Sequence, residues 1–345
     1  MQQISRARLI RCLSQAKQVV LISHANPDGD ALGSSLGLYH WIKEYGFTNT
    51  SCSVIVPNAY PEFLSGLPSC SKVLIAQHNP ELASRKIDAA DVIILLDFNA
   101  LKRIDALGAH VAKSKAIKVL IDHHQQPEPC ADFYFHDVKA CSTSELVFEL
   151  TMPTVQTQKY LTKAMATCIY TGIMTDTGNF RFPSVRSKTH TIVSHLLRAG
   201  IAHYRIHEMV YDAYTLERMQ LLGFGLTQKL ECLKNIPVAF FSFSYQELQA
   251  YKYAKGDLEG VVNYGLSIKG IQICALFNEQ EDGTVRISFR SKGKADVNRF
   301  ARRYFNGGGH INAAGGRSMH SLSKTLDCLK RTLKNYFNGF YEFNL

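Results

Sequence analysis

Three short apolar runs, each stopped abruptly by an acid or an imidazole, constrain this chain more than any other feature. They are QVVLIS (18–23), DVIILL (91–96) and AIKVLI (116–121), and they stop at Ser23-His24, Asp97 and Asp122. Runs this short and this apolar read as strands buried on both faces. SCSVIV (51–56) and KVLIA (72–76) add two weaker candidates, and residues 28–45 repeat small and apolar side chains at helical spacing. Buried strands separated by helices predict an α/β fold, a parallel sheet with helices on both faces. Ligands of such sheets bind beyond the carboxyl ends of the strands, where the polar stops lie.

Further along, Ser142-Thr143-Ser144-Glu145 fits a capping box and predicts a helix start. Residues 157–172 read as another helix. Residues 193–231 are helical and charged in pattern, a helical connector. Beyond it, 238–243, 271–277 and 285–289 read as strands and 294–304 and 322–336 as helices, a smaller α+β unit. The expected division is a first domain over 1–192, a connector over 193–235 and a C-terminal domain over 236–345.

No apolar run approaches the ~18 residues of a membrane span. The opening residues show no apolar block ahead of a small-residue cleavage site, so no secretory signal is expected. Hydrophobic residues at 46% and charged residues at 20% exclude a disordered chain. Nine cysteines are scattered singly with no C-x-x-C pair, which argues against a thiolate zinc site and for a reducing, cytoplasmic setting. The formal charge of +10 favours anionic partners.

Four polar clusters carry the chemistry. His24-Ala25-Asn26-Pro27-Asp28-Gly29-Asp30 puts one imidazole and two carboxylates directly after a strand; an Asp there serves equally as a helix N-cap or a metal ligand. Asp97 ends the second run. Asp122-His123-His124 ends the third, and adjacent histidines diverge, so one suits a metal and the other a substrate. The stretch 174–180 is a polar turn carrying Asp176. Together these supply five aspartates and three histidines. So many carboxylates in one buried space require cations between them. Oxygen-rich sites with some imidazole suit Mn²⁺ or Mg²⁺, and a pair of such ions would activate water for phosphoester hydrolysis. Near the C-terminus, Gly307-Gly308-Gly309-His310 offers backbone N–H groups for a phosphate and allows close backbone approach. Upstream, residues 286–303 hold seven basic residues against one acid, with Arg290 placed to fork onto a phosphate.

This set, in this order, resembles the DHH phosphoesterase family, in the subgroup with an associated C-terminal substrate-binding domain. The matching elements are His24-Ala-Asn-Pro-Asp28-Gly-Asp30, Asp97, Asp122-His123-His124, Thr175-Asp176-Thr177-Gly178 and Gly307-Gly-Gly-His310-x-x-Ala-Ala-Gly. The resemblance covers nearly the whole chain. The length and layout are similar to bacterial members that degrade short RNA and also remove the 3′-phosphate from 3′-phosphoadenosine 5′-phosphate. It implies that His24, Asp28 and Asp97 hold one Mn²⁺ and that Asp30, Asp97, His123 and Asp176 hold the other, Asp97 bridging, with Mg²⁺ as the alternative ion. It implies that Asp122 orients His123 and that His124 meets the scissile phosphate. Arg290 and Gly307, Gly308, Gly309 and His310 would hold the nucleotide end, and Arg103 would also meet substrate. Asn99 departs from the small hydroxyl or Ala that relatives often carry. A homodimer is implied by the same resemblance.

Three other readings stay open at this point. A single-strand DNA exonuclease of the recombination type is expected to be longer, with an extra nucleic-acid-binding domain. A cyclic dinucleotide phosphodiesterase often adds membrane and sensory segments. An inactive nucleotide- or RNA-binding module would suit the charge but has no need of eight acids and imidazoles.

Overall fold

The computed structural model describes residues 2–47 and 49–342. The chain divides into two units, Met1–Ala213 and Tyr214–Leu345. The boundary falls inside the stretch read as a connector.

The first unit contains α1 (Arg6–Gln15), β1 (Gln18–Ser23), α2 (Gly29–Tyr45), β2 (Ser51–Val56), β3 (Leu74–Ile75), α3 (Pro80–Asp88), β4 (Val92–Leu96), α4 (Leu107–Lys113), β5 (Ile117–Asp122), β6 (Phe133–His136), α5 (Thr143–Thr151), α6 (Lys163–Asp176), α7 (Ser187–Arg198) and α8 (His203–Tyr211). The sheet runs β3-β2-β1-β4-β5-β6 with every neighbouring pair parallel. Alternate residues of the central strands feed two cores. Leu21, Ile94 and Ile121 pack with α2, α5 and α6 on one face, and Ile22, Ile93 and Leu120 with α3 and α4 on the other. The chain leaves β1 toward β2 and returns to its other side at β4. Their carboxyl ends therefore flank the crevice where strand order reverses.

Register then brings the polar stops together. Ser23 pairs with Leu96, and Leu96 with Ile121, so His24, Asp97 and Asp122 leave the sheet side by side. Helices α2 and α6 pack with backbones in close approach. Gly29, Gly33 and Gly37 line one stripe of α2; a Cβ on Gly33 would meet the Cys168 carbonyl and Gly172, and one on Gly29 would collide with Thr175. That approach brings Asp30 at the start of α2 to Asp176 at the end of α6.

The second unit contains α9 (Leu216–Phe224), β7 (Leu230–Cys232), β8 (Val238–Phe243), α10 (Tyr245–Ala250), α11 (Val261–Ser267), β9 (Ile273–Glu279), β10 (Val285–Ser291), α12 (Val297–Tyr304), β11 (Gly308–His310), β12 (Ala313–Ser318) and α13 (Leu322–Glu342). Its sheet runs β11-β12-β10-β9-β8-β7, with β8 and β9 parallel and the other pairs antiparallel. Phe240, Phe277 and Phe289 face α12 and α13, while Phe241, Cys274 and Leu276 face α9 and α11.

Some local expectations change. The strand expected over 72–76 is only Leu74–Ile75, because a 3₁₀ turn at Cys70–Lys72 consumes its start. The helix expected over 157–172 is a 3₁₀ turn followed by α6, which runs on to Asp176. Asp176 thus ends a helix, and the polar turn begins after it. Ser142 does cap α5, accepting from the Glu145 N–H at 3.0 Å. The Glu145 side chain turns elsewhere: buried, it accepts from Arg186 Nη2 (2.5 Å) and Thr189 Oγ1 (2.6 Å).

Candidate metal centre

The loop after β1 places His24 and Asp28 by backbone means. Asn26 has φ +55°, and its N–H donates to Asn58 Oδ1 (2.6 Å) while Asn58 Nδ2 donates back to Asn26 Oδ1 (3.0 Å). The Ala25 N–H donates to the Arg103 carbonyl at 2.7 Å. Asp28 is the helix cap its sequence position allowed, and its second oxygen lies near His24. Its Oδ1 accepts from the Asp30 and Ala31 N–H groups as the cap of α2, and its Oδ2 lies 3.8 Å from His24 Nε2.

Asp97 sits at the centre, 2% exposed, with φ +65°. Its Oδ2 is 3.4 Å from His24 Nε2, and its Oδ1 is 3.5 Å from His123 Nε2. His123 Nε2 also lies 3.4 Å from Asp176 Oδ2 and 4.0 Å from Asp30 Oδ2. Among the three-membered groups with ligand atoms within 4.8 Å of one another are His24–Asp28–Asp97 and Asp30–His123–Asp176. Asp97 presents one oxygen to each.

Both histidines are turned the same way. His24 Nδ1 donates to the Ala25 carbonyl (2.9 Å) and His123 Nδ1 to the Ala140 carbonyl (3.2 Å). Such bonds place the proton on Nδ1 and leave the Nε2 lone pair directed at the carboxylates, the arrangement of a metal-binding imidazole. The electrostatics agree. Burial, and then the neighbouring Asp30, Asp28, Asp176 and Asp122, hold the Asp97 carboxyl well above the usual carboxylate range. Burial raises Asp30 as well. Burial opposes the charge of His123, but Asp176, Asp30 and Asp122 outweigh it and raise its pKa. Burial, helped by the charge of Arg103, lowers His24. Five carboxylates crowd this space, and a divalent cation is the chemical partner that lets them remain ionised together.

Asp122 corrects one expectation. Its Oδ1 accepts from Nδ1 of His124 at 2.7 Å, whereas the Nδ1 of His123 serves Ala140. Neighbouring side chains at a strand end diverge, and residues two apart return to the same side. Burial works against the Asp122 charge, but the His124 bond prevails and its pKa is lowered. Asn99 ties the loop after Asp97 to the one after His124, its Nδ2 donating to the Gln125 carbonyl at 2.7 Å.

Sequence reasoning missed Thr143 and Ser144. Their N–H groups donate to the two oxygens of Asp30 (2.6 and 2.9 Å), and Thr143 Oγ1 donates to Asp97 Oδ1 (2.9 Å). The only sequence signal was their place at a helix start, where orphan N–H groups seek an acceptor.

In the second unit the glycine-rich segment is a hairpin of β11 and β12. Arg290 and His310 pair in register with Ala313 from either side. The Gly307 and Gly309 N–H groups are already committed, to the Ala301 carbonyl (3.2 Å) and Asn298 Oδ1 (3.0 Å). These glycines serve close approach instead: a Cβ on Gly307 would collide with the Gly315 carbonyl, and Gly309 has φ +149°.

The sequence matches the DHH family, N-terminal domain, over residues 18–173 and the DHHA1 domain over residues 239–338. A probable bifunctional oligoribonuclease and PAP phosphatase NrnA of Streptococcus mutans is 31% identical over 318 residues, 92% of this chain and 94% of that protein. The bifunctional oligoribonuclease and PAP phosphatase NrnA of Bacillus subtilis is 29% identical over 313 residues, 90% of this chain and 92% of that one. The crystal structure of an exopolyphosphatase-related protein from Bacteroides fragilis superposes with a TM-score of 0.90 at 39% identity, covering 96% of each chain.

Proposed function

The chain belongs to the DHH family, and we propose that it is a two-metal phosphoesterase that degrades short oligoribonucleotides to mononucleotides and dephosphorylates 3′-phosphoadenosine 5′-phosphate. The observation that carries this reading is Asp97, buried between two His–Asp groups with one oxygen toward each. His24, Asp28 and Asp97 would hold one divalent cation, and Asp30, Asp97, His123 and Asp176 the other. When bound, such a pair supplies an activated water and neutralises phosphoryl charge. The mixture of imidazole and carboxylate favours Mn²⁺ over Mg²⁺.

The remaining roles belong to the chain's own side chains. His124, held by Asp122, donates to a phosphoryl oxygen and supports the charge that develops there. Arg103 lies close enough to His24 to act on its charge, and it meets the substrate's anionic end. Arg290 and His310 hold a terminal nucleotide, and Gly307, Gly308 and Gly309 shape the hairpin that carries His310. Both reactions place a single phosphate over the same centre. We assign the protein to the cytoplasm, where nine free thiols persist, and to a homodimer.

A panel of pApA, pAp, cyclic di-AMP and single-stranded DNA, read by product chromatography with Mn²⁺ and with chelator, tests this. Linear dinucleotides and pAp are the expected substrates, and chelator abolishes release. Faster turnover of the cyclic dinucleotide than of the linear one would favour the phosphodiesterase alternative. Release that is the same from wild type and Asp97→Ala would overturn the reading altogether.

A further inference from the structure

Helix α5 contributes no member to either ligand group, yet its first turn spends three donors on them. The Thr143 and Ser144 N–H groups bond Asp30, and the Thr143 hydroxyl bonds Asp97 Oδ1, the oxygen that also faces His123. Thr143 and Ser144 are fully buried, so water does not compete for these bonds. The hydroxyl therefore sets the rotation of the Asp97 carboxylate, and with it the division of its two oxygens between the two groups.

The helix is held in turn. Buried Glu145, two residues on, accepts from Arg186 and Thr189. The Arg186 side chain is 35% exposed, so a partly exposed cation compensates a fully buried carboxylate. Arg186 lies ten residues beyond Asp176 in sequence, so the clamp also anchors the chain that leaves the centre.

From these contacts we infer that Thr143 is a positioning residue for the metal pair, and that Arg186, through Glu145, is the remote clamp that seats it. The inference rests on the two-cation reading. Removing a hydrogen-bond partner of a ligand typically costs about 10–100-fold in metal affinity. Removing Arg186 leaves the buried Glu145 charge unpaired and the start of α5 without that hold.

Mn²⁺ binding, followed by the EPR signal of the free ion, is the test, with melting in chelator reporting the fold. Thr143→Val keeps the shape and loses the hydroxyl; it is expected to weaken Mn²⁺ binding about tenfold or more. Thr143→Ser keeps the hydroxyl and binds as wild type. Arg186→Met weakens binding, and Arg186→Lys, which keeps a cation for the Glu145 carboxylate, weakens it less. Thr143→Val binding as tightly as wild type, or Thr143→Ser binding as weakly as Thr143→Val, overturns the positioning role. Arg186→Met binding as tightly as wild type, or Arg186→Lys binding as weakly as Arg186→Met, overturns the clamp. Wild-type protein that binds no Mn²⁺ overturns the two-cation reading itself, which separates the failures.

Discussion

Asp97 concentrates three demands in one side chain. It ends a buried strand, adopts φ +65°, and stands among four other carboxylates. Asparagine meets the first two, since it tolerates left-handed backbone and its Oδ1 can still accept from Thr143. It removes only the charge. Asp97→Asn should therefore lower Mn²⁺-dependent turnover by more than about a hundredfold, yet stabilise the protein in chelator. The raised carboxyl pKa means that the folded state keeps a proton the unfolded chain releases. Stability in chelator is thus lost as pH rises from the ordinary aspartate value through the raised one. The variant lacks that loss, so its advantage over wild type grows across this window. A gain on the order of 1 kcal/mol corresponds to roughly 2–4 °C for a unit of this size. Melting curves in chelator from acid to neutral pH check this, and a variant that melts below wild type at neutral pH would show that the carboxylates do not repel as described.

At the scale of elements, the site depends on two helices meeting closely enough to join Asp30 with Asp176. Gly33→Ala forces a methyl onto the Cys168 carbonyl and the Gly172 backbone. It is expected to cost about 1–3 kcal/mol and to weaken Mn²⁺ binding, because the two ligand-bearing helices must part. Gly223→Ala, in α9 with nothing near its Cβ, should instead gain about 0.5–1 kcal/mol. Denaturant unfolding of both variants gives the comparison, and equal effects would mean that the α2–α6 approach is slack. The strands were legible for a physical reason: buried on both faces along most of their length, β1, β4 and β5 are apolar runs broken internally only by Lys118 near the start of β5, and their polar stops marked the site. Strand β6 was not, since FYFH is a four-residue edge strand beside polar loops. The glycine stripe of α2 was visible as small residues at helical spacing, but its partner was not. Thr143 was hidden because its acceptor Asp97 lies 46 residues away and only the assembled sheet brings them together. The role of Glu145 was masked by a capping pattern that its side chain does not complete.

For the molecule as a whole, the question is where a cation would be felt. All five aspartates and three histidines of the centre belong to the first unit, while the second unit has cores of its own. A ligand that binds only the folded state stabilises by mass action, about 2.7 kcal/mol at a free concentration one hundred times Kd. Because the carboxylates repel when no cation lies between them, that gain appears chiefly as slower local opening of the elements that carry them. Amide hydrogen exchange with and without Mn²⁺ should show new protection in α2, α5 and α6 and at the carboxyl ends of β1, β4 and β5. Strands β8, β9 and β10 should exchange as before. Protection confined to β8–β10 would place the cation in the other unit and leave the crowded aspartates without their explanation. Protection in the first unit that survives Asp97→Asn would show that the two groups do not share that residue.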